Sequence, residues 1–344
     1  VAALTKEINL SAVYDTGSNE PVETIYFGGG TPSLLDIDDL EKIQEALHKK
    51  FVIAPDAEIT LEANPDDIHD AKLKAWKHMG INRLSVGIQS FAEEELQWMN
   101  RAHTAAESLA CIEAIKNAGY ENFSIDLIYG SPLLDDEGWK KNVDTVLSKS
   151  IPHVSCYALT VEPKTALSKM IALHRKANTD PDKQAAQFML LMQWMQQAGY
   201  EHYEISNYAL PGMRSRHNSS YWQGKKYYGF GPSAHSFDGA KRRWNIANNA
   251  AYTRSLQQGI IPFEEEVLTA AQRLNEYIMT SLRTIEGLDL EKVSVDFGEQ
   301  YNLKLKKASI KWKQENKLEN ALSHLILTNE GKLFADGIAA DLFF

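Results

Sequence analysis

Cysteine is scarce in this chain: Cys111 and Cys156 are the only two in 344 residues. A pair so far apart excludes a disulfide framework and a local metal knuckle. Both stand in apolar patterns, LACI (109–112) and VSCY (154–157), where a free cysteine is a packing residue. Excess positive charge is missing too. With 36 basic against 46 acidic side chains and a net charge of -10, the chain lacks the basic surface that broad nucleic-acid binding requires. No apolar run approaches membrane-spanning length and no signal peptide is visible at the start, so a cytoplasmic protein without a transmembrane segment is expected. The triple glycine at 28–30 has neither the spacing of a dinucleotide site nor the lysine of a phosphate loop.

What is present is a repeated grammar of short apolar strand, loop and amphipathic helix. At 44% hydrophobic the chain can bury a large core. Strands are predicted at 23–27, 58–62, 83–88, 122–129, 153–159 and 202–206. Helical spacing lies between them, as in Leu40, Ile43 and Leu47, or Leu109, Ile112 and Ile115. Three helices stop on a glycine that leads into the next strand, at MGINRLS (79–85), AGYENFS (118–124) and AGYEHYE (198–204). Asp180 with Pro181 marks the start of the helix before Gly199.

Strands alternating with helices imply a parallel sheet covered by helices, either doubly wound or a full or partial TIM-type barrel. The polar residues decide between them. Gly28 to Thr31, Glu62, Gln89, Asp126 and Ser206-Asn207 fall at or just after their strands, which is where a barrel places its chemistry. A doubly wound sheet would gather it at one switch point. Taken singly, the glycine run is a plain turn or a backbone cradle, and Glu62 is a salt-bridge partner or a ligand for an ammonium or ribose group. Their convergence on one rim favours the functional reading.

The motifs YFGGGTPSLL (26–35), LEANPDD (61–67), RLSVGIQSF (83–91), MNRAHTA (99–105), SIDLIYGSP (124–132), CYALTVEP (156–163), YEISNYALPG (203–212), RHNSSYW (216–222) and GFGPSAHS (229–236) run through almost the whole chain. Their content and order resemble the radical S-adenosylmethionine proteins of the HemN and HemW group, which includes oxygen-independent coproporphyrinogen III oxidase. The resemblance implies an α/β fold: a partial (β/α)6 barrel over 1–240 and a small α+β, winged-helix-like C-terminal domain over 241–344. It also implies S-adenosylmethionine contacts. Gly29, Gly30 and Thr31 take the methionine end; Glu62, Gln89, Arg101 and Asp126 take the ribose, carboxylate and amino groups; Ala158 and His235 line the adenosyl or second-ligand region. In that family the amino-acid end of the cofactor chelates a [4Fe-4S] cluster, whose electron cleaves the sulfonium to a 5'-deoxyadenosyl radical.

One departure is plain. The family's C-x-x-x-C-x-x-C cluster motif is absent, and Cys111 and Cys156 cannot replace it. The uncapped helical opening VAALTKEI (1–8) is read as a barrel lacking its first strand, with the cluster cysteines upstream of Val1. The stretch HNSSYW (217–222) resembles the signature of the haem-binding HemW branch. Haem contact is implied for His217, Asn218, Tyr221 and Trp222, with His217 able to supply an axial nitrogen. The plain alternative is that His217 and Asn218 satisfy backbone groups while the aromatics fill the core. Expected partners are haem or a porphyrinogen, with a haem-acceptor protein and an electron donor. Two functions remain: a haem chaperone, or an oxidase that decarboxylates porphyrinogen propionates to vinyl groups. The lysines at 304, 306, 307, 311, 313 and 317 read as a solvated helix face.

Overall fold

The computed structural model describes residues 1–11 and 20–344. Its first elements are α1 (Ala2–Leu10), β1 (Val22–Phe27), α2 (Ile37–Lys50), β2 (Ile53–Ala63), α3 (Asp70–His78), β3 (Arg83–Gln89), α4 (Glu93–Trp98), α5 (Ala105–Asn117), β4 (Phe123–Tyr129), α6 (Asp136–Ser148) and β5 (His153–Ala158). Then come α7 (Ala166–Ala172), α8 (Pro181–Gln197), β6 (Glu201–Glu204), β7 (Asn207–Ala209), α9 (Arg216–Trp222), β8 (His235–Phe237), β9 (Lys241–Asn245), α10 (Asn249–Gln257) and β10 (Phe263–Val267). The remainder is α11 (Ala270–Leu282), β11 (Leu288–Asp289), α12 (Leu290–Phe297), α13 (Glu299–Gln314), β12 (Leu318–Ala321), β13 (His324–Leu327), α14 (Asn329–Lys332) and α15 (Ala335–Asp341). Two compact units emerge, one of Val1–Ile25, Leu35–Glu58 and Arg216–Phe344, the other of Tyr26–Leu34 and Ile59–Ser215.

Seven strands form a sheet in the order β1-β2-β3-β4-β5-β7-β6. Strands β2 to β5 are parallel neighbours in chain order. From β1 to β5 the order follows the chain without reversal, so these strands have no switch point of the doubly wound kind, and the topology is that of a partial β/α barrel. The strand predicted at 202–206 joins differently. It becomes β6 at the sheet edge and reaches β5 only through β7, which runs antiparallel to both. The cause is local: the Glu204 carboxylate accepts from the Ser206 backbone N–H at 2.9 Å and from the Asn207 amide, a turn that sends the chain straight back.

Strand registers sort the side chains of the second unit by face. Thr60 pairs with Arg83, Glu62 with Ser85, Ser85 with Ser124, Ser124 with His153, and Asp126 with Ser155, so one face is polar across four strands. The other carries Leu61, Leu84, Val86, Phe123, Ile125, Leu127, Val154 and Cys156, all buried. That apolar face packs the helices, with Trp139 of α6 and Phe188 of α8 against Tyr129. Parallel strands buried on both faces read as continuous apolar runs. Here the alternation leaves one face for polar work.

Helix-to-strand joints repeat one solution. After α3, α5 and α8 the glycines at 80, 119 and 199 take φ of +86°, +76° and +81°. The next residue's N–H returns to a carbonyl five positions back, Ile81 to Trp76, Tyr120 to Ile115 and Tyr200 to Met195. At the start of α8 the Asp180 carboxylate accepts from the Asp182 and Lys183 N–H groups.

In the first unit, β8 to β10 pair in the order β10-β9-β8 and β11 to β13 in the order β11-β13-β12. The succession α11, β11, α12, α13, β12, β13 is that of a winged helix. Helix α13 buries Asn302, Leu305 and Ser309, leaving Lys304, Lys306, Lys307 and Lys311 exposed. The short α14 is capped by Thr328, whose hydroxyl accepts from the Gly331 N–H at 3.0 Å.

Candidate functional site

The segment after β1 is shaped by what glycine permits. A Cβ on Gly28 would stand 2.6 Å from the Tyr26 ring and 2.9 Å from Glu62 Oε1, so any side chain here would displace the Tyr26–Glu62 pair. Gly29 and Gly30 have φ of +77° and +125°, and a Cβ on either meets nothing within 4 Å. The loop therefore presents open, unshielded peptide groups. Glu62, at the end of β2, holds it from behind: Oε2 accepts from the Gly29 N–H at 3.3 Å and Oε1 from the Tyr26 hydroxyl at 2.8 Å. Burial, reinforced by the Glu62 charge, raises the Tyr26 phenol far above its ordinary pKa, so it stays a donor.

Asp126 stands on the polar face of the same unit. Burial pushes its pKa up to about 6; the Glu62 carboxylate adds to this, while a hydrogen bond with Ser155 and the Arg83 and Arg101 charges oppose it. Arg83 is itself buried, at 2% exposure, and donates to Asn122. Gln89 is buried and adopts φ +68° where the β3–β4 register shifts. Its amide folds back to within 2.8 Å of the place a Gly87 Cβ would occupy. Ala158 closes β5 opposite Tyr129.

The second unit thus sets Glu62 against the glycine loop and brings both Glu62 and Arg101 within electrostatic reach of Asp126. Two carboxyl groups, a guanidinium and bare backbone can take up an ammonium, a carboxylate and sugar hydroxyls, the inventory of S-adenosylmethionine. Tyr26, Arg83 and Ser155 were missing from the residues singled out in the sequence. Their signal was the period-two alternation within the strands.

The first unit carries the HNSSYW stretch as α9. Glu58 caps it, its carboxylate accepting from the Arg216 N–H at 3.1 Å and the His217 N–H at 2.9 Å. His217 Nδ1 lies 2.9 Å from the Thr24 hydroxyl, and burial lowers the imidazole pKa to about 4 against the pull of Glu58. The Tyr221 ring meets His217 edge-on at 5.0 Å and Tyr227 at 4.8 Å. Tyr221 is 41% exposed, so it does not fill the core. Asn218 is half-buried, and the half-buried Trp222 lies under the Arg283 guanidinium at 5.4 Å. His235 is exposed on β8 and stacks on Trp244.

The cysteines do not suit a cluster. Cys111 donates to the Ser108 carbonyl, and burial pushes its thiol up to about 12; Cys156 is buried and raised further. Among the described residues no group of three or more His, Cys, Asp or Glu could hold a metal ion, and no helix is long and apolar enough to cross a membrane.

Comparison with known proteins adds independent findings. The radical SAM superfamily model matches residues 7–146 and the HemN C-terminal domain model residues 268–334. Heme chaperone HemW of Bacillus subtilis is 30% identical, over 98% of this chain and 89% of its own length. HemW of Mycobacterium tuberculosis is 32% identical over 99% and 85%, and HemW of Escherichia coli 31% over 83% and 75%. Among solved structures, the coproporphyrinogen III oxidase HemN of Escherichia coli superposes with a TM-score of 0.81 at 21% identity, over 99% of this chain and 82% of its own, and so shares the fold. By its likeness to these relatives over nearly its whole length, the chain belongs to the HemW family of radical SAM proteins.

Proposed function

We propose that this chain is a haem-binding chaperone that uses S-adenosylmethionine and a [4Fe-4S] cluster, the cofactors of its superfamily. The observation that carries the haem reading is the state of His217. Its imidazole is neutral at physiological pH and oriented through Nδ1 by Thr24, and it stands beside the exposed Tyr221 ring. A neutral, oriented imidazole beside an aromatic face suits an axial ligand to haem iron. The relatives named as haem chaperones support the same reading. Haem is the ligand in this proposal, and an acceptor protein in the cytoplasm its destination.

For S-adenosylmethionine, Gly29, Gly30 and Thr31 would receive the methionine end. Glu62, Gln89, Arg101 and Asp126 would receive its charged and hydroxyl groups, with Ala158 beside the adenosyl group. When bound, the cofactor supplies one-electron cleavage chemistry at its sulfonium. The protein's own part is to orient that group and screen it from water.

The test is a pair of assays on the anaerobically prepared full-length protein. Stoichiometric haem binding without coproporphyrinogen consumption is expected, and His217→Ala should weaken haem binding by about tenfold or more, on the order of 1.4 kcal/mol. Enzyme-like turnover of coproporphyrinogen would overturn the chaperone reading in favour of an oxidase.

A further inference from the structure

We propose that Asp67 and Lys72 are positioning residues that clamp the glycine loop in its ligand-receiving shape; this rests on the reading of that loop as the cradle for S-adenosylmethionine. Gly29 and Gly30 leave the loop with more backbone freedom than any other residues would. A loop of that kind binds weakly unless something outside it removes the freedom. Glu62 secures the near end through the Gly29 N–H. The far end is the turn Pro32–Leu34, whose Ser33 is fully buried, at 0% exposure.

Ser33 is held twice. Its hydroxyl donates to Asp67 Oδ2 at 2.7 Å, and its carbonyl accepts from Lys72 Nζ at 2.7 Å. Asp67 ends the turn Pro65–Asp67, and Lys72 lies in the first turn of α3. A single stretch of chain, 62–72, therefore grips the loop at both ends, and the two glycines hang between the grips. Both contacts at Ser33 are charge-assisted, the stronger kind of hydrogen bond. Both side chains contact Ser33 and act on the loop through it, which is the sense in which they position the cradle.

The experiment measures S-adenosylmethionine affinity by equilibrium dialysis, and amide hydrogen exchange over 28–34, in the full-length protein carrying its cluster. Lys72→Met and Asp67→Ala should each weaken binding by about tenfold and speed exchange in that segment, with exchange elsewhere unchanged. Asp67→Asn, which still offers an oxygen to the Ser33 hydroxyl, should restore both to within about threefold of the unaltered protein. Unchanged affinity in Lys72→Met and Asp67→Ala overturns the proposal, whether or not exchange quickens. Absence of S-adenosylmethionine binding by the unaltered protein would sink the cradle reading and this inference with it. Faster exchange in the two variants would then mark the clamp as purely structural.

Discussion

Asp126 and His217 are the residues whose neighbours change their chemistry most usefully, and they move in opposite senses. The Asp126 carboxyl is raised to about 6, chiefly by burial. A raised acid costs folding stability once the pH climbs above its unfolded value, and the cost is complete above its folded one. Asp126→Asn should therefore melt higher than the unaltered protein at about pH 8, an advantage that shrinks below about pH 6 and is gone near about pH 4. Thermal scans across that range check the sign; a constant difference would refute it. His217 is lowered to about 4, so haem affinity should stay level from about pH 8 down to about pH 5, where an unburied histidine would already have lost it. Both residues stood out in the sequence by side-chain type and by the motifs around them. Their protonation did not, because burial and the charges of Glu62, Arg83 and Glu58 come from other strands.

At the level of elements, the helix-to-strand joints were legible in full. A glycine after an amphipathic run and an Asp-Pro pair before one carry their meaning locally, since the left-handed residue and the capping carboxylate need no distant partner. Asp180→Ala should lower stability by about 1 kcal/mol, and Gly199→Ala, forced to φ +81°, by about 1 kcal/mol; urea midpoints at unchanged slope would register both. The β6–β7 hairpin was not legible. YEISN reads as an ordinary strand, and only the Glu204 side chain bonding forward to Ser206 and Asn207 shows why the chain doubles back. The glycine loop lies between these cases. Its openness was evident from GGG, but Glu62, Asp67 and Lys72 sit 33 or more residues from the groups they hold.

For the whole molecule, long-range ties outweigh local preference, and α1 is the clearest example. The sequence shows a weak helix without a cap. In the structure Glu7 of that helix is 3% exposed, and its carboxylate accepts from the Gly231 N–H at 2.8 Å, the Asn245 amide and the Tyr252 hydroxyl. At about 1 kcal/mol for each orphaned donor, Glu7→Ala should cost about 3 kcal/mol and Glu7→Gln clearly less, measurable by chemical denaturation. No local signal links residue 7 to residues 231–252. By itself the sequence determined the succession of the first five strands with the helices between them, the parallel character of that part of the sheet and the family to which the motifs point. These follow from periodicity, caps and glycines, all of which act within a few residues. The tertiary structure alone decided which face of the sheet is polar, how Glu62 backs the loop, why Asp126 and His217 titrate as they do, and how the sixth strand joins. Those outcomes depend on desolvation and on charges brought together across the sheet, which exist only once the chain has folded.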